Sequence, residues 1–119
     1  MSRKSAYQRG HLAEVLASIW LQLKGYRILA RRLKTPLGEI DLLVCRGQTL
    51  AIVEVKQRAD HLSAAQAITP RQQERLMNAA RFVLAQRPEL SQHSVRFDAL
   101  LVSRWGWLQH WPNAFSPSW

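Results

Sequence analysis

The chain has 119 residues, the length of one domain, and its single cysteine, Cys45, excludes an internal disulfide and a cysteine-based zinc site. No apolar run is long enough to span a bilayer, and the basic start leads into no signal-peptide stretch, so we expect a cytoplasmic protein without membrane insertion. Seventeen Lys and Arg against eight Asp and Glu give a net charge of +9, which favours a polyanionic partner, nucleic acid before an anionic membrane surface.

The apolar pattern predicts two helices and four strands in the order αβββαβ. The first helix is predicted over residues 6–24, where the apolar residues recur at helical spacing and form one stripe: Leu12, Val15, Leu16, Ile19 and Leu23. A short strand with Arg at its outer positions is predicted over residues 26–33, and Pro36 would break it.

The clearest strand pair is predicted over residues 39–44 and 49–56. The short polar connection Cys45-Arg46-Gly47-Gln48 contains a glycine, which is typical of a hairpin. Both runs are almost continuously apolar, which favours a sheet that is covered on both faces. Cys45 lies among apolar residues and is interpreted as a small buried side chain rather than a nucleophile.

The second half of the chain predicts a loop or lid over residues 58–68, then a helix and a strand. Thr69 can cap this helix, Pro70 suits its first turn and Gln72 completes a capping box, so the helix should run to about Gln86. The last strand is predicted over residues 95–102. The tail resembles neither a helix nor a regular strand and carries four tryptophans: Trp105, Trp107, Trp111 and Trp119. Packing over an exposed core or in a dimer contact is preferred for them to stacking on bases.

Three charged residues interrupt the apolar strands of the hairpin. Glu54 and Lys56 are two apart on one strand and leave the same face, and the hairpin places Asp41 on the neighbouring strand. Burying these charges is costly unless they are compensated, and a divalent cation with hard oxygen ligands, Mg²⁺ or Mn²⁺, would compensate them. The alternative is an ordinary ion pair at a sheet edge.

Five motifs stand in order over residues 10–102: Gly10 with Glu14, Lys24-Gly25-Tyr26-Arg27-Ile28-Leu29, Gly38-Glu39-Ile40-Asp41-Leu42, Val53-Glu54-Val55-Lys56, and Arg96-Phe97-Asp98. An acidic helix residue, an Asp on a hairpin strand and then Glu-x-Lys resemble the PD-(D/E)xK nuclease superfamily. The whole order resembles more closely the YraN-like family, which is related to archaeal Holliday-junction resolvases. Ile40 stands where the superfamily has proline, and Gln72 stands where a basic residue is expected.

The resemblance implies a restriction-endonuclease-like αβββαβ core with a mixed sheet flanked by helices, in one domain over residues 1–119 with its core at 10–102. It implies Mg²⁺-dependent hydrolysis of phosphodiester bonds, with Asp41, Glu54 and the Val55 backbone carbonyl at the metal. Lys56 would position the water, and Glu14 would be a supporting acid that binds the metal directly or through water. The resemblance gives Asp98 no clear role, and a structural hydrogen bond would explain it equally well.

The expected activity is therefore that of a metal-dependent DNA endonuclease, with branched DNA and a two-fold homodimer suggested by the resemblance and no organic cofactor. Basic residues that could contact phosphates lie on the first strand and the second helix, where a solvated surface is the alternative: Arg27, Arg31, Arg32, Lys34 and Arg71. Two other functions are considered, a non-catalytic nucleic-acid-binding protein and an interaction module that recruits a membrane or repair partner through the tryptophan-rich tail.

Overall fold

The computed structural model describes residues 3–58, 67–103 and 105–117, with only the backbone path described for residues 3–10 and 58. These residues form two long helices and five strands: α1 (Arg3–Leu23), β1 (Arg27–Thr35), β2 (Gly38–Arg46), β3 (Thr49–Arg58), α2 (Pro70–Gln86), β4 (Ser94–Ser103) and β5 (Leu108–Phe115). The predicted α/β class and the αβββαβ order are confirmed, and β5 is an addition. The predicted lid falls mostly on residues 59–66, outside the described ranges.

The five strands form one mixed sheet in the order β1-β2-β3-β4-β5. All neighbours are antiparallel except β3 and β4, which are parallel and are therefore joined by a crossover that contains α2. Ala51 and Val53 pack on the side of α1, whereas Leu50 and Ile52 pack on the side of α2. The near-continuous apolar sequence of β3 thus follows from burial of both its faces, as predicted.

The local features of the hairpin and the second helix are confirmed. Cys45 is buried, and Gly47 in the β2–β3 turn has a φ of 59°, a backbone conformation that favours glycine. The Thr69 hydroxyl accepts a hydrogen bond from the Gln72 backbone N–H, and the Gln72 side chain accepts one from the Thr69 N–H. Neither helix of the described ranges has the length and apolarity needed to cross a bilayer.

Helix α1 packs on the sheet with a different face from the one that its apolar stripe indicates. The buried residues are Ala13, Ala17, Ser18 and Leu21, whereas Leu23 is 82% exposed. The rest of the predicted stripe is also exposed, apart from the partly buried Leu16: Leu12, Val15 and Ile19. The prediction failed because hydrophobicity alone ignores side-chain size, and the small residues let the helix axis approach the strands closely.

This orientation predicts unequal costs for truncating two leucines of the same helix. Leu21→Ala should lower the free energy of unfolding by about 2–5 kcal/mol, because it leaves a cavity in the core. Leu23→Ala should change it by less than about 0.5 kcal/mol, because that side chain is exposed. Urea unfolding of both variants measures the difference. Equal losses would contradict the burial of the Leu21 face of α1 and the exposure of the Leu23 face.

The tail does not lack regular structure, contrary to the prediction, because β5 pairs with β4 along the edge of the sheet. Pro112 and the positive φ of Asn113 (54°) interrupt the alternation by which a strand is recognised, and an edge strand tolerates both. Trp105 and Trp107 are 80% and 78% exposed, so these two do not pack over the core of this chain, and Trp111 is 39% exposed. The dimer contact considered for the tail tryptophans remains a prediction. Trp119 lies outside the described residues.

Candidate active site

A cleft opens where β2 and β3 separate. Their pairing ends at Leu42 and Val53, while β3 continues along β4 to its end. Asp41 and Glu54 are the first residues beyond that last pair, so they stand at the point of divergence. The cleft has a volume of about 220 Å³ and is lined by residues of β2, β3 and α2: Glu39, Asp41, Glu54, Gln72, Arg75 and Leu76.

Gly38 allows α2 to approach the cleft closely. A Cβ atom at this position would lie 3.0 Å from Arg75 Cγ and 3.4 Å from the Arg75 carbonyl oxygen, so a larger residue would push the helix away. The preceding turn is held by Thr35, whose hydroxyl accepts hydrogen bonds from the N–H groups of Leu37 and Gly38, both at 3.1 Å. The glycine of the Gly-Glu-Ile-Asp motif therefore leaves room for Arg75, which lines the cleft.

The carboxyl groups of Asp41 and Glu54 form a hydrogen-bonded pair. Asp41 Oδ2 also accepts a hydrogen bond of 2.8 Å from the Val55 backbone N–H. Burial, followed by the hydrogen bond to Asp41 and its negative charge, raises the pKa of Glu54 to about 9, although Lys56 acts in the opposite direction. At neutral pH Glu54 therefore keeps its proton and donates a hydrogen bond to Asp41, which avoids two adjacent negative charges.

This pair fits a hard divalent cation. A shared proton between two carboxyl groups occupies a place where a cation could compensate both charges, and carboxylate oxygens are the ligands that Mg²⁺ and Mn²⁺ prefer. No cluster of three or more His, Cys, Asp or Glu side chains suited to a metal is found in the ranges described. Mg²⁺ is commonly held by one or two carboxylates, with water and substrate phosphate completing its shell, so two carboxylates are sufficient.

Lys56 lies two residues after Glu54 and therefore on the same face of β3. It is half-buried and pairs across the parallel ladder with Leu101. The alternation of β3 thus brings a cation to the face that carries the two carboxyl groups, as the spacing predicted.

Glu14 does not line the cleft. Its carboxylate forms an ion pair with the guanidinium of Arg32, at 2.5 Å, and both side chains are mostly buried. The neighbouring Arg31 donates a hydrogen bond of 3.3 Å from Nε to the hydroxyl of Ser18. These contacts join α1 to β1, and the supporting role of Glu14 at a metal remains a prediction.

The other candidate phosphate contacts are exposed. Arg27, Arg31 and Lys34 lie on β1, which is an edge strand, and Arg71 lies in the first turn of α2. Three polar residues line the cleft that had not been predicted as site residues: Glu39, Gln72 and Arg75. The available signal was the spacing on α2, since Gln72 and Arg75 are three residues apart and share one face.

Asp98 belongs to a separate network on the α1 side of the sheet. Its buried carboxylate accepts two 2.8 Å hydrogen bonds from Arg96, contacts His110 Nε2 at 2.8 Å and accepts the Asn113 N–H at 3.0 Å. Burial would raise the pKa of Asp98, but the hydrogen bonds from His110, Arg96 and Asn113 outweigh it and lower the pKa. Arg96 also donates to the hydroxyl of Tyr26. Asp98 thus has a structural role: it joins β4 to β5 and, through Arg96, to Tyr26 in the segment between α1 and β1.

Comparisons with known proteins agree with the YraN-like resemblance. The uncharacterised protein family UPF0102 matches residues 13–102. A UPF0102 protein of Parvibaculum lavamentivorans is 50% identical over 113 residues, which cover 95% of this chain and 85% of the relative. A UPF0102 protein of Rhodopseudomonas palustris (strain HaA2) is 50% identical over 116 residues, 98% of this chain and 91% of the relative. A third, from Paramagnetospirillum magneticum, is 46% identical over 118 residues, 96% of this chain and 92% of the relative.

Proposed function

The chain belongs to the uncharacterised protein family UPF0102, and from its cleft we propose that it is a metal-dependent nuclease of the PD-(D/E)xK type that acts on DNA. The observation that carries the proposal is the position of Asp41 and Glu54 together in the cleft where β2 and β3 diverge. A pair of carboxyl groups in a cleft, one with a strongly raised pKa, is characteristic of functional sites. Lys56 on the same face supplies the third member of the motif.

In this proposal Asp41, Glu54 and the Val55 backbone carbonyl hold Mg²⁺ or Mn²⁺. The bound ion supplies a Lewis acid for the phosphate and a water of lowered pKa. Lys56 orients the attacking water and stabilises negative charge on the phosphate oxygens, and Arg75 in the cleft adds a second cation. The attacking water gives up a proton to solvent as its oxygen forms a bond to phosphorus. The bond from phosphorus to the leaving sugar oxygen breaks, and that oxygen takes a proton from solvent.

The charge of the chain supports DNA as the substrate. A net charge of +9 attracts a phosphate backbone and gains affinity from the counterions that it releases. Exposed Arg27, Arg31 and Lys34 on β1 and Arg71 on α2 are positioned to contact phosphates outside the cleft. Such contacts carry no sequence information, so this proposal includes no sequence specificity.

The test is cleavage of labelled single-stranded, duplex, flap and four-way-junction DNA with Mg²⁺ or Mn²⁺. The wild type should cleave at least one substrate, and EDTA should stop the reaction. Asp41→Asn, which keeps the side-chain size, should lower the rate by about a thousandfold or more, because each 1.36 kcal/mol of lost transition-state stabilisation costs tenfold. Glu74→Gln, which replaces an exposed carboxylate on α2, is the matched control and should cleave normally. Equal cleavage by Asp41→Asn would refute this site.

The second candidate is a nucleic-acid-binding protein that keeps the fold and does not cut. It is favoured by one observation, the ion pair that holds Glu14 on Arg32 instead of at the cleft. Such a binder should retain its affinity for DNA in EDTA and after Asp41→Asn, and no substrate should be cleaved. The homodimer and the preference for branched DNA remain predictions, which native mass spectrometry and the substrate panel test.

A further inference from the structure

Two exposed tryptophans, Trp105 and Trp107, lie between β4 and β5. Ser103 Oγ accepts hydrogen bonds from the N–H groups of Trp105, at 3.3 Å, and Trp107, at 3.0 Å. The Ser103 N–H donates to the Trp107 carbonyl at 2.9 Å, and the Gly106 N–H donates to the Ser103 carbonyl at 3.0 Å. The φ of Gly106 is 87°, a conformation that favours glycine. Hydrogen bonds to Ser103 therefore hold the backbone of Trp105, Gly106 and Trp107 while the two indoles stay exposed.

The sheet register places this turn and Trp111 relative to the cleft. Glu54 pairs with Ala99 on β4, and Ala99 pairs with Trp111 on β5, so Glu54 and Trp111 stand in one row across the sheet. Two inter-strand spacings separate them by about 10 Å. Residues paired across strands lie on the same face of the sheet, so Trp111 is on the face that carries Glu54 and Lys56. Ser103 at the end of β4 pairs with Arg58 at the end of β3. The residues that follow Ser103 therefore lie beyond the same end of the sheet towards which β3 runs from the cleft.

We propose that Trp107 and Trp111, together with Trp105, form a stacking platform for unpaired bases, so that the DNA substrate carries a single-stranded segment next to the bond that is cut. This inference rests on the proposed function and adds to it the class of substrate. Every base presents an aromatic face, so stacking on indoles requires no particular sequence. The separation of about 10 Å from Glu54 is short enough for neighbouring nucleotides of one strand to reach both places.

Charge favours a nucleic acid over a protein as the occupant of the platform. Exposed tryptophans are also common in protein interfaces. Here they belong to a chain with a net charge of +9, which draws a polyanion to the surface without selecting its sequence. Indole rings on a basic protein are the combination by which single-stranded nucleic acids are held.

The test uses binding in EDTA, so that its result does not depend on cleavage. The probes are a blunt duplex and the same duplex with an unpaired arm that carries 2-aminopurine, whose fluorescence falls when it stacks. The full-length wild type should bind the armed duplex at least about tenfold more tightly than the blunt one and quench the probe. Trp107→Ala and Trp111→Ala should each weaken binding of the armed duplex about tenfold and relieve quenching, with less than twofold effect on the blunt duplex.

Two further variants distinguish stacking on an aromatic ring from the removal of any exposed apolar side chain. Trp107→Phe keeps an aromatic face and should retain most of the preference for the armed duplex. Leu23→Ala removes another strongly exposed apolar side chain, on α1, and should leave both affinities unchanged. Circular dichroism at the binding temperature confirms that each variant is folded.

The outcomes distinguish this inference from the proposed function. Tryptophan-dependent binding of the armed duplex without any cleavage supports the platform and refutes the nuclease. Metal-dependent cleavage with equal affinity for armed and blunt duplexes in every variant refutes the platform and leaves the nuclease standing. Equal weakening on both duplexes also refutes it, because it would show a contact made to duplex DNA.

Discussion

Replacing Glu54 with glutamine is expected to abolish metal-dependent cleavage and at the same time to stabilise the metal-free protein. The wild-type carboxyl group is buried beside Asp41, and its pKa of about 9 means that ionising it in the folded state is unfavourable. A glutamine amide is neutral at every pH and can donate a hydrogen bond to Asp41 as the protonated carboxyl does. It is a poor substitute for a carboxylate at a divalent cation.

The sign of the pH dependence follows from proton binding. The folded protein keeps the Glu54 proton up to about pH 9, whereas the unfolded chain loses it near 4.5, so wild-type stability falls as the pH rises between these values. Glu54→Gln removes that decline. In EDTA the variant should be more stable by about 2 kcal/mol at pH 8, less than full linkage because water reaches the cleft, and the difference should shrink towards pH 5.

Urea unfolding in EDTA at pH 5 and pH 8 measures this difference. Adding Mg²⁺ or Mn²⁺ should stabilise the wild type, because the ion binds the folded state, and should have little effect on the variant. Glu39→Gln is the matched control, since Glu39 lines the same cleft but is exposed, and its stability should change by less than about 0.5 kcal/mol. A variant less stable than the wild type at pH 8 would contradict the prediction.

Asp98→Ala is expected to lower the free energy of unfolding by about 3–5 kcal/mol. The substitution removes the carboxylate that neutralises the Arg96 guanidinium, leaves the N–H of Asn113 without this acceptor and removes the contact with His110. Two of these three partners are on β5, so the strand should separate from β4. Asp98→Asn keeps the shape but loses the charge, and it should cost less than the alanine variant.

The stability that Asp98 contributes should increase with pH, whereas the effect of Glu54 lowers stability as the pH rises. The folded-state pKa of Asp98 is lowered, so its contribution is complete above the unfolded value of 3.8 and disappears as the pH falls through the folded value. The difference between wild type and Asp98→Ala should therefore be full at pH 7 and smaller in acid below pH 3.8. Urea unfolding measures it, and hydrogen exchange should show faster exchange in β5 with little change in the hairpin of β2 and β3. A loss below about 1 kcal/mol would contradict this role.

Glu54 and Asp98 both lie in distinct sequence motifs, but only the role of Glu54 could be predicted from its motif. Glu54 and Lys56 share a face by strand alternation alone, and the hairpin brings Asp41 beside them, so their proximity followed from local sequence. Asp98 lies in an equally distinct motif, Arg-Phe-Asp, yet its role depends on His110 and Asn113, which come from a strand that the sequence pattern did not reveal. A motif is easier to interpret when its partners are neighbours in the sequence.

Local interactions by themselves determined the α/β class, the hairpin, the capping box before α2, and the convergence of Asp41, Glu54 and Lys56. These features depend on alternation, turn residues and backbone hydrogen bonds within a few residues, all of which can be read along the chain. Only the tertiary structure decided which face of α1 is buried, because close packing on the sheet favours Ala13 and Ala17 over larger apolar residues.

The tertiary structure also decided the pairing of β5, the exposure of the tryptophans and the partner of Glu14. The edge of β4 accepts β5 despite Pro112, because an outer strand needs hydrogen bonds on one side only. Arg32 reaches Glu14 only after α1 has docked on β1. Such contacts join residues that are distant in the sequence, and their energies depend on burial and geometry that the order of amino acids does not display.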